Sequence, residues 1–367
     1  MRHTGSIAGR QSVSSAQCDY SFVGRTCGDY GSDENQKRAV VISGETILST
    51  AHADVGYRQG RHEKVVLTNL SLELRAHSLV CFMGPNGIGK STLLRTLAGL
   101  QPLLRGGVNL PRVEAGKSVA VVLTDRVQTY NMTVRDMVSL GRYPHLAWHT
   151  HLSASDDRIV DESIELVQLQ NLQHQQVNEL SDGQLQMVMI ARALAQQTPL
   201  LILDEPTAHL DLNNRVEVMN LLRHLARTTG KGILVATHEL DLALQTADEI
   251  WLATPDKSIR SGIPEDLVLD GSFDDVFQLK GFDLKTGKVK HQPFRQEKIR
   301  LIGEGYRFLW TKNALERMGF EVTDDPDCLT VKIQTADWVV DGTTAYESLT
   351  KLLDGLTKSA KPIPNIN

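Results

Sequence analysis

At 367 residues, 41% hydrophobic and 23% charged, the chain has ordinary globular composition and can bury a sizeable core, as two domains or one large and one small. Its formal net charge of -5 argues against a surface built to hold nucleic acid non-specifically, and no apolar run approaches the roughly eighteen residues needed to span a membrane unaided. Cys18, Cys27, Cys81 and Cys328 lie far apart with no C-x-x-C pair, which excludes a zinc-ribbon spacing or a small disulfide framework and fits a reducing, cytosolic compartment.

Residues 1–45 are rich in Ser, Gly and Arg without a sustained apolar period, and are expected to form a disordered arm. No apolar core of a signal sequence precedes Cys18, so a lipoprotein cleavage site is not expected there. The next methionine after Met1 is Met83, which leaves the true N-terminus open.

From Thr46, Ile47 and Leu48 and then Val65, Leu67, Leu70, Leu72 and Leu74 alternate with polar residues, as in strands buried on one face, and predict an edge sheet. Tyr57 lies between two such strands, where an aromatic either stacks on a purine or packs on the sheet.

The apolar run Leu79–Met83 leads into Gly84, Pro85, Asn86, Gly87, Ile88, Gly89, Lys90, Ser91 and Thr92, followed by the helix-like Leu93–Ala98. In this strand–loop–helix pattern, glycines let backbone N–H groups converge on phosphate oxygens above a helix start. Lys90 is expected to reach the β- and γ-phosphates, and Ser91 to offer its hydroxyl to Mg²⁺.

Residues 119–123 form a continuous apolar run of the buried-strand kind, followed by Thr124 and Asp125, and residues 133–180 read as mainly helical. His145, His149 and His151 suggest a metal site, but the loop supplies no acidic ligand before Asp156, which favours solvated histidines. Ser181 is a natural N-cap for the helical run from Leu185 to Ala195; read functionally, Ser181 with the N–H groups of Gly183 and Gln184 is a second phosphate-reading helix start. The apolar strand Leu200–Leu203 ends in Asp204 and Glu205. Asp204 is placed to hold Mg²⁺ through water and Glu205 to deprotonate an attacking water. A further apolar strand, residues 232–236, ends at His238, which either reaches a γ-phosphate or caps the next helix.

In this order and at these separations, Gly84 to Ser91, Leu180 to Gln184, Leu200 to Glu205, His209 to Asp211 and His238 resemble the ATP-binding-cassette ATPases over residues 46–285. The resemblance implies an α/β P-loop NTPase cassette with a RecA-like core, an antiparallel β subdomain and a helical subdomain, binding ATP and Mg²⁺. It places the catalytic glutamate on Glu205, the switch histidine on His238, the adenine-stacking aromatic on Tyr57 and the D-loop on Leu210 and Asp211. Two positions depart from the family pattern. Asp182 replaces the first glycine of the signature, and Thr124 stands where a metal-contacting glutamine is expected, with Gln128 four residues late. Thr124 is therefore the metal-site candidate at that position.

Residues 140–145, 238–243 and 262–267 look like those of ATPases serving importers of iron–siderophore complexes, haem and cobalamin. Such a subunit works as a pair of identical chains at the cytoplasmic face of the inner membrane, with membrane-spanning permease subunits and, indirectly, an extracytoplasmic binding protein, and without nucleic acid. The alternative is a soluble cassette acting on ribosomes or DNA. Such proteins usually carry two cassettes or a long coiled-coil insertion, and neither pattern is in this sequence.

Residues 286–367 read as a small α+β module of order β-α-β-β-β-α, with its last helix over residues 346–356. It is either a stabilising or dimerising appendage or a ligand-sensing domain.

Overall fold

The computed structural model describes residues 44–60, 62–110, 117–124, 131–147, 151–277, 282–284, 288–289, 293–295, 297–335 and 337–359. Residues 1–43 of the expected arm, Gln128 and His149 lie outside the described residues.

An antiparallel sheet comes first. Strands β1 (Thr46–Gln59), β2 (His62–Leu70) and β3 (Glu73–Arg75) order as β2-β1-β3. After β4 (Leu79–Met83) and α1 (Lys90–Leu97), β5 (Arg105–Asn109) returns to pair with β1. Tyr57 is inside β1, opposite Lys64, rather than between strands, because the β1–β2 register runs on to Gln59 opposite His62.

The central sheet takes β4 together with β6 (Val119–Val122), β7 (Leu200–Asp204), β8 (Gly232–Ala236), β9 (Glu249–Ala253) and β10 (Ile259–Gly262), in the order β10-β9-β4-β8-β7-β6. All pairs from β9 to β6 are parallel; β10 alone is antiparallel. Every residue of β4, β7 and β8 is buried. Burial on both faces explains why these strands read as continuous apolar runs rather than alternating ones. Leu79, Cys81 and Met83 belong to one core and Val80 and Phe82 to the other. The Cys81 thiol, fully enclosed, is pushed up to about 12 by burial and then by nearby Asp248, and behaves as a small hydrophobe.

Helices α2 (Val134–Ser139), followed by a 3₁₀ turn over Leu140–His145, and α3 (Ala154–Leu166) fall in the segment expected to be mainly helical, and α4 (Asp182–Ala195) is the helix expected after Ser181. Each begins with a capping box, on Thr133, Ser153 and Ser181 respectively. Then come α5 (Leu212–Thr229), α6 (Leu240–Thr246), α7 (Pro264–Leu269) and α8 (Ser272–Phe277). The 3₁₀ turn is pinned from inside. Arg142 and Asp156 are both buried and meet at 2.9 Å, and Arg142 also donates to the Ala195 carbonyl at 2.6 Å and to Gln197 at 3.1 Å. His145 bonds the Gln196 carbonyl at 2.8 Å, so it caps the end of α4 instead of sitting free in solvent. Among the described residues no group of His, Cys, Asp and Glu could hold a metal ion.

A short pair, β11 (Phe282–Asp283) and β12 (Lys288–Val289), precedes the C-terminal module. That module contains β13 (Lys298–Ile302), α9 (Gly305–Arg317), β14 (Glu321–Thr323), β15 (Leu329–Ile333), β16 (Trp338–Val340), β17 (Thr344–Tyr346) and α10 (Leu349–Ser359), with sheet order β14-β13-β15-β16-β17. It has its own core, including Ile299, Leu301, Leu315, Val331 and Leu352. The expected order misses one strand. Tyr346 ends β17, and the last helix starts at Leu349. Asp341 and Gly342 both take positive φ, 45° and 71°, and Thr343 N–H donates to the Val340 carbonyl, which makes a tight hairpin turn. Asp-Gly is the sequence signal for that turn. No helix among the described residues is long and apolar enough to cross a membrane.

The Arg142–Asp156 pair yields a prediction. Arg142→Leu leaves a carboxylate buried without its cation and should lower unfolding free energy by about 3 kcal/mol, read by urea denaturation. Donation from the Ser153 hydroxyl and amide, then from Arg142, lowers the Asp156 carboxyl to about 2. Its stabilisation is therefore complete above the ordinary carboxylate value of about 4 and lost as pH falls through about 2, so the gap between wild type and Asp156→Asn should close over that window.

Candidate functional site

Strands β4, β8, β7 and β6 lie side by side and parallel, so the loops that follow them leave one edge of the sheet. That carboxyl edge is where α/β sheets receive ligands. Two bonds lock it: Thr237 N–H to the Phe82 carbonyl at 3.1 Å, and Glu205 N–H to the Ala236 carbonyl at 2.9 Å.

The loop after β4 ends at Gly89, whose φ is 110°; a Cβ there would lie 2.1 Å from Val66 of β2, so only glycine fits. The first N–H groups of α1 therefore sit directly behind the loop, without a side-chain cap. Lys90 is half-buried and donates to the carbonyls of Gly84 at 2.9 Å and Pro85 at 3.4 Å. Burial lowers its pKa, and the carboxylates of Glu205 and then Asp204 partly offset that. Ser91 is half-buried on the first turn of α1. Thr92 is buried, with its hydroxyl 2.5 Å from that of Tyr57, which ties β1 to α1. The Tyr57 ring is 43% exposed, so the sheet does not absorb it.

A cavity of about 580 Å³ opens here, the size of ordinary small-ligand sites. Of the sequence-predicted residues, Tyr57, Asn86, Gly87, Gly89, Lys90, Ser91, Thr92 and Glu205 line it. Lys64, Pro255 and Lys257 also line it, and nothing in the sequence pointed to them. Lys257 arrives on the β9–β10 turn, which bonds to β2 through Thr68 N–H to the Lys257 carbonyl at 2.9 Å.

Asp204 ends β7 and is buried; Thr124 donates its hydroxyl to the Asp204 main-chain carbonyl at 2.8 Å. Glu205 takes a left-handed backbone, φ 51°, costly for a residue with a Cβ, and the chain turns sharply there. Its carboxylate meets His238 Nδ1 at 2.5 Å, while His238 Nε2 lies 3.6 Å from Glu239. The cavity wall thus holds Lys90, the exposed Tyr57 ring and Glu205, with His238 bonded to Glu205 and Asp204 next to it in the chain, groups suited to a charged, flat-ringed ligand and to moving a proton.

Ser181, Gly183, Gln184 and Asp211 gather elsewhere and line none of this cavity. Ser181 caps α4, exchanging bonds with Gln184 at 3.0 and 3.3 Å. Asp211 caps α5 by accepting from the Asn214 amide and side chain at 2.9 and 3.1 Å. A Cβ on Gly183 would stand 2.8 Å from the Asn214 side chain, so glycine lets the two helix starts close on each other. A second cavity of about 830 Å³, between the end of α3, α4 and α5, contains none of the predicted residues.

The family model for ABC transporters matches residues 67–208, and that for the iron ABC transporter C-terminal domain matches residues 296–357. An uncharacterised ABC transporter ATP-binding protein of Methanocaldococcus jannaschii is 36% identical over 71% of this chain and 92% of its own length. A petrobactin import ATP-binding protein of Bacillus anthracis is 30% identical, over 69% and 94% of the two chains. Among solved structures, a metal-chelate type ABC transporter in an inward-facing conformation superposes with a TM-score of 0.57 at 26% identity, over 64% of this chain and 90% of the other. An ATP-binding cassette bound to ADP and phosphate gives 0.50 at 25%, over 59% and 99%. The chain belongs to the ABC transporter family, as an ATP-binding subunit that hydrolyses ATP.

Proposed function

We propose that two copies of the chain face each other head to tail, each holding ATP between its own Gly84–Ser91 loop and the Ser181–Gln184 helix start of the other, and that this drives import of a metal chelate through membrane-spanning partner subunits. The observation that carries the reading is the division of the site: one set of predicted residues lines the cavity, while Ser181, Gly183, Gln184 and Asp211 cluster apart from it. A second copy in two-fold relation supplies the missing half.

Tyr57 stacks under the adenine, the backbone from Gly84 through Gly89 wraps the phosphates with Pro85 and Asn86 shaping the loop, and Lys90 reaches the β- and γ-phosphates. Ser91, Asp204 and Thr124 hold Mg²⁺. The fit rests on an all-oxygen donor set and on the Asp204 carboxylate, which accepts from no protein donor among the described residues. Bound there, Mg²⁺ neutralises phosphate charge. Glu205, oriented by its bond to His238, takes a proton from the attacking water as the water oxygen bonds the γ-phosphorus and the bond to the β–γ bridging oxygen breaks.

Iron–siderophore complexes, haem or cobalamin are the cargo class. Relatives from Bacillus anthracis, Dickeya dadantii and Halobacterium salinarum are petrobactin, achromobactin and cobalamin import proteins, and the C-terminal match is to an iron transporter domain. An extracytoplasmic binding protein delivers cargo, and the chain sits peripherally at the cytoplasmic face of the cell membrane. The same matches favour this over a soluble cassette acting on ribosomes or DNA.

Glu205→Gln should still bind ATP and pair with a second copy while turnover falls by about 10²–10³, read by nucleotide filter binding and phosphate release; near-normal hydrolysis would remove Glu205 from its role. Thr124→Val should raise the Mg²⁺ concentration for half-maximal turnover roughly tenfold with ATP affinity nearly unchanged, seen in a Mg²⁺ titration of phosphate release.

A further inference from the structure

Helix α9 is packed on one side only. Thr311, Ala314 and Leu315 are buried, the Trp338 indole donates to the Thr311 hydroxyl at 2.8 Å, and Arg307 lies over the Trp338 ring at 4.1 Å. The opposite face carries Tyr306, 84% exposed and the most exposed large hydrophobic side chain among the described residues, and Trp310, 65% exposed. Asn313 and Arg317 continue it, half-buried and exposed. At 3.6 residues per turn these four fall within a wedge of about 60°. None of their side chains has a hydrogen bond or ion pair within the described residues.

Single exposed apolar residues need no explanation, but two large aromatics one turn apart with unmet polar tips do. Their order along the helix is itself informative. Tyr306 lies as far before the midpoint between Thr311 and Lys312 as Arg317 lies after it, and Trp310 and Asn313 stand in the same relation. An antiparallel copy of the same helix therefore sets Arg317 against Tyr306 and Asn313 against Trp310, twice over. That is the self-complementarity a two-fold interface requires.

We propose that this face of α9 is a homodimer interface, in which two copies of α9 pack antiparallel across a two-fold axis independently of nucleotide. The Arg317 guanidinium lies on the partner subunit's Tyr306 ring, a cation–π contact, and the Asn313 amide oxygen accepts from the indole N–H of the partner subunit's Trp310. A membrane surface is the poorer occupant: α9 has 13 residues and two exposed aromatics, not the broad apolar face of an interfacial helix. The proposal stands on α9 alone and does not rest on the ATP-dependent pairing proposed above. Its consequence is a tether that keeps two cassettes together when their nucleotide contacts open.

The test is sedimentation velocity of the full-length chain without nucleotide across a concentration series. Wild type should be a dimer, and Tyr306→Ser with Trp310→Ser should weaken dimerisation at least about thirtyfold, with unchanged circular dichroism and thermal midpoint. Tyr306→Lys, which sets two cations opposite, should give monomer; adding Arg317→Glu should restore the dimer through two ion pairs. A nucleotide-free wild-type monomer, a dimer that survives loss of both aromatics, or failure of the paired exchange overturns the proposal, as does α9-dependent binding to anionic phospholipid vesicles. ATP-induced association of Glu205→Gln carrying Trp310→Ser separately reports the nucleotide-dependent pairing, so the two fail independently.

Discussion

The site depends on three parallel strands ending level with one another. Phe82 of β4 accepts from Thr237, and Ala236 of β8 accepts from Glu205, so residues far apart in the chain arrive at one edge with little freedom to shift. Both partners in each bond lie at strand ends buried on two faces, where losing a bond strands a polar group away from water. The glycine loop, the Asp204–Glu205 turn and His238 inherit their relative positions from this ladder. Thr124 is added by the same logic, through its bond to the Asp204 carbonyl.

Strain and desolvation are concentrated at that edge. Glu205 is held in a left-handed backbone, Gly89 fills a position with no room for a Cβ, and Lys90 is kept partly out of water. Each costs stability locally, of the order of 1–3 kcal/mol for the backbone terms, and the continuous apolar cores on both faces of the sheet offset them. A cation in this setting attracts phosphate strongly because little solvent screens it.

The second cluster of predicted residues is built from helix starts. Ser181 and Asp211 cap α4 and α5, and Gly183 allows Asn214 to sit between them. At its far end α4 is fastened by Arg142 and His145 to the 3₁₀ turn that carries the exposed Tyr143. The helix is thus tied at both ends.

Much was legible in the chain itself. Continuous apolar runs announced the buried strands, the glycine loop announced its helix, and Ser181 announced a helix N-cap, because each rests on contacts within a few residues. Asp341-Gly342 announced a hairpin just as plainly, and overlooking it loses β17. Other features have no local signature. Tyr57 is set inside β1 by cross-strand register, and Lys64 from strand β2 and Lys257 from the β9–β10 turn enter the cavity wall. Asp156 meets Arg142 beneath the 3₁₀ turn, and Thr124 spends its proton on a carbonyl of another strand. The sequence by itself determined which residue types stand at each strand end and helix start. Only the tertiary structure decided which of them share a cavity and which cluster apart from it, because that depends on strand order and register, which are settled by pairing between segments far apart in the chain.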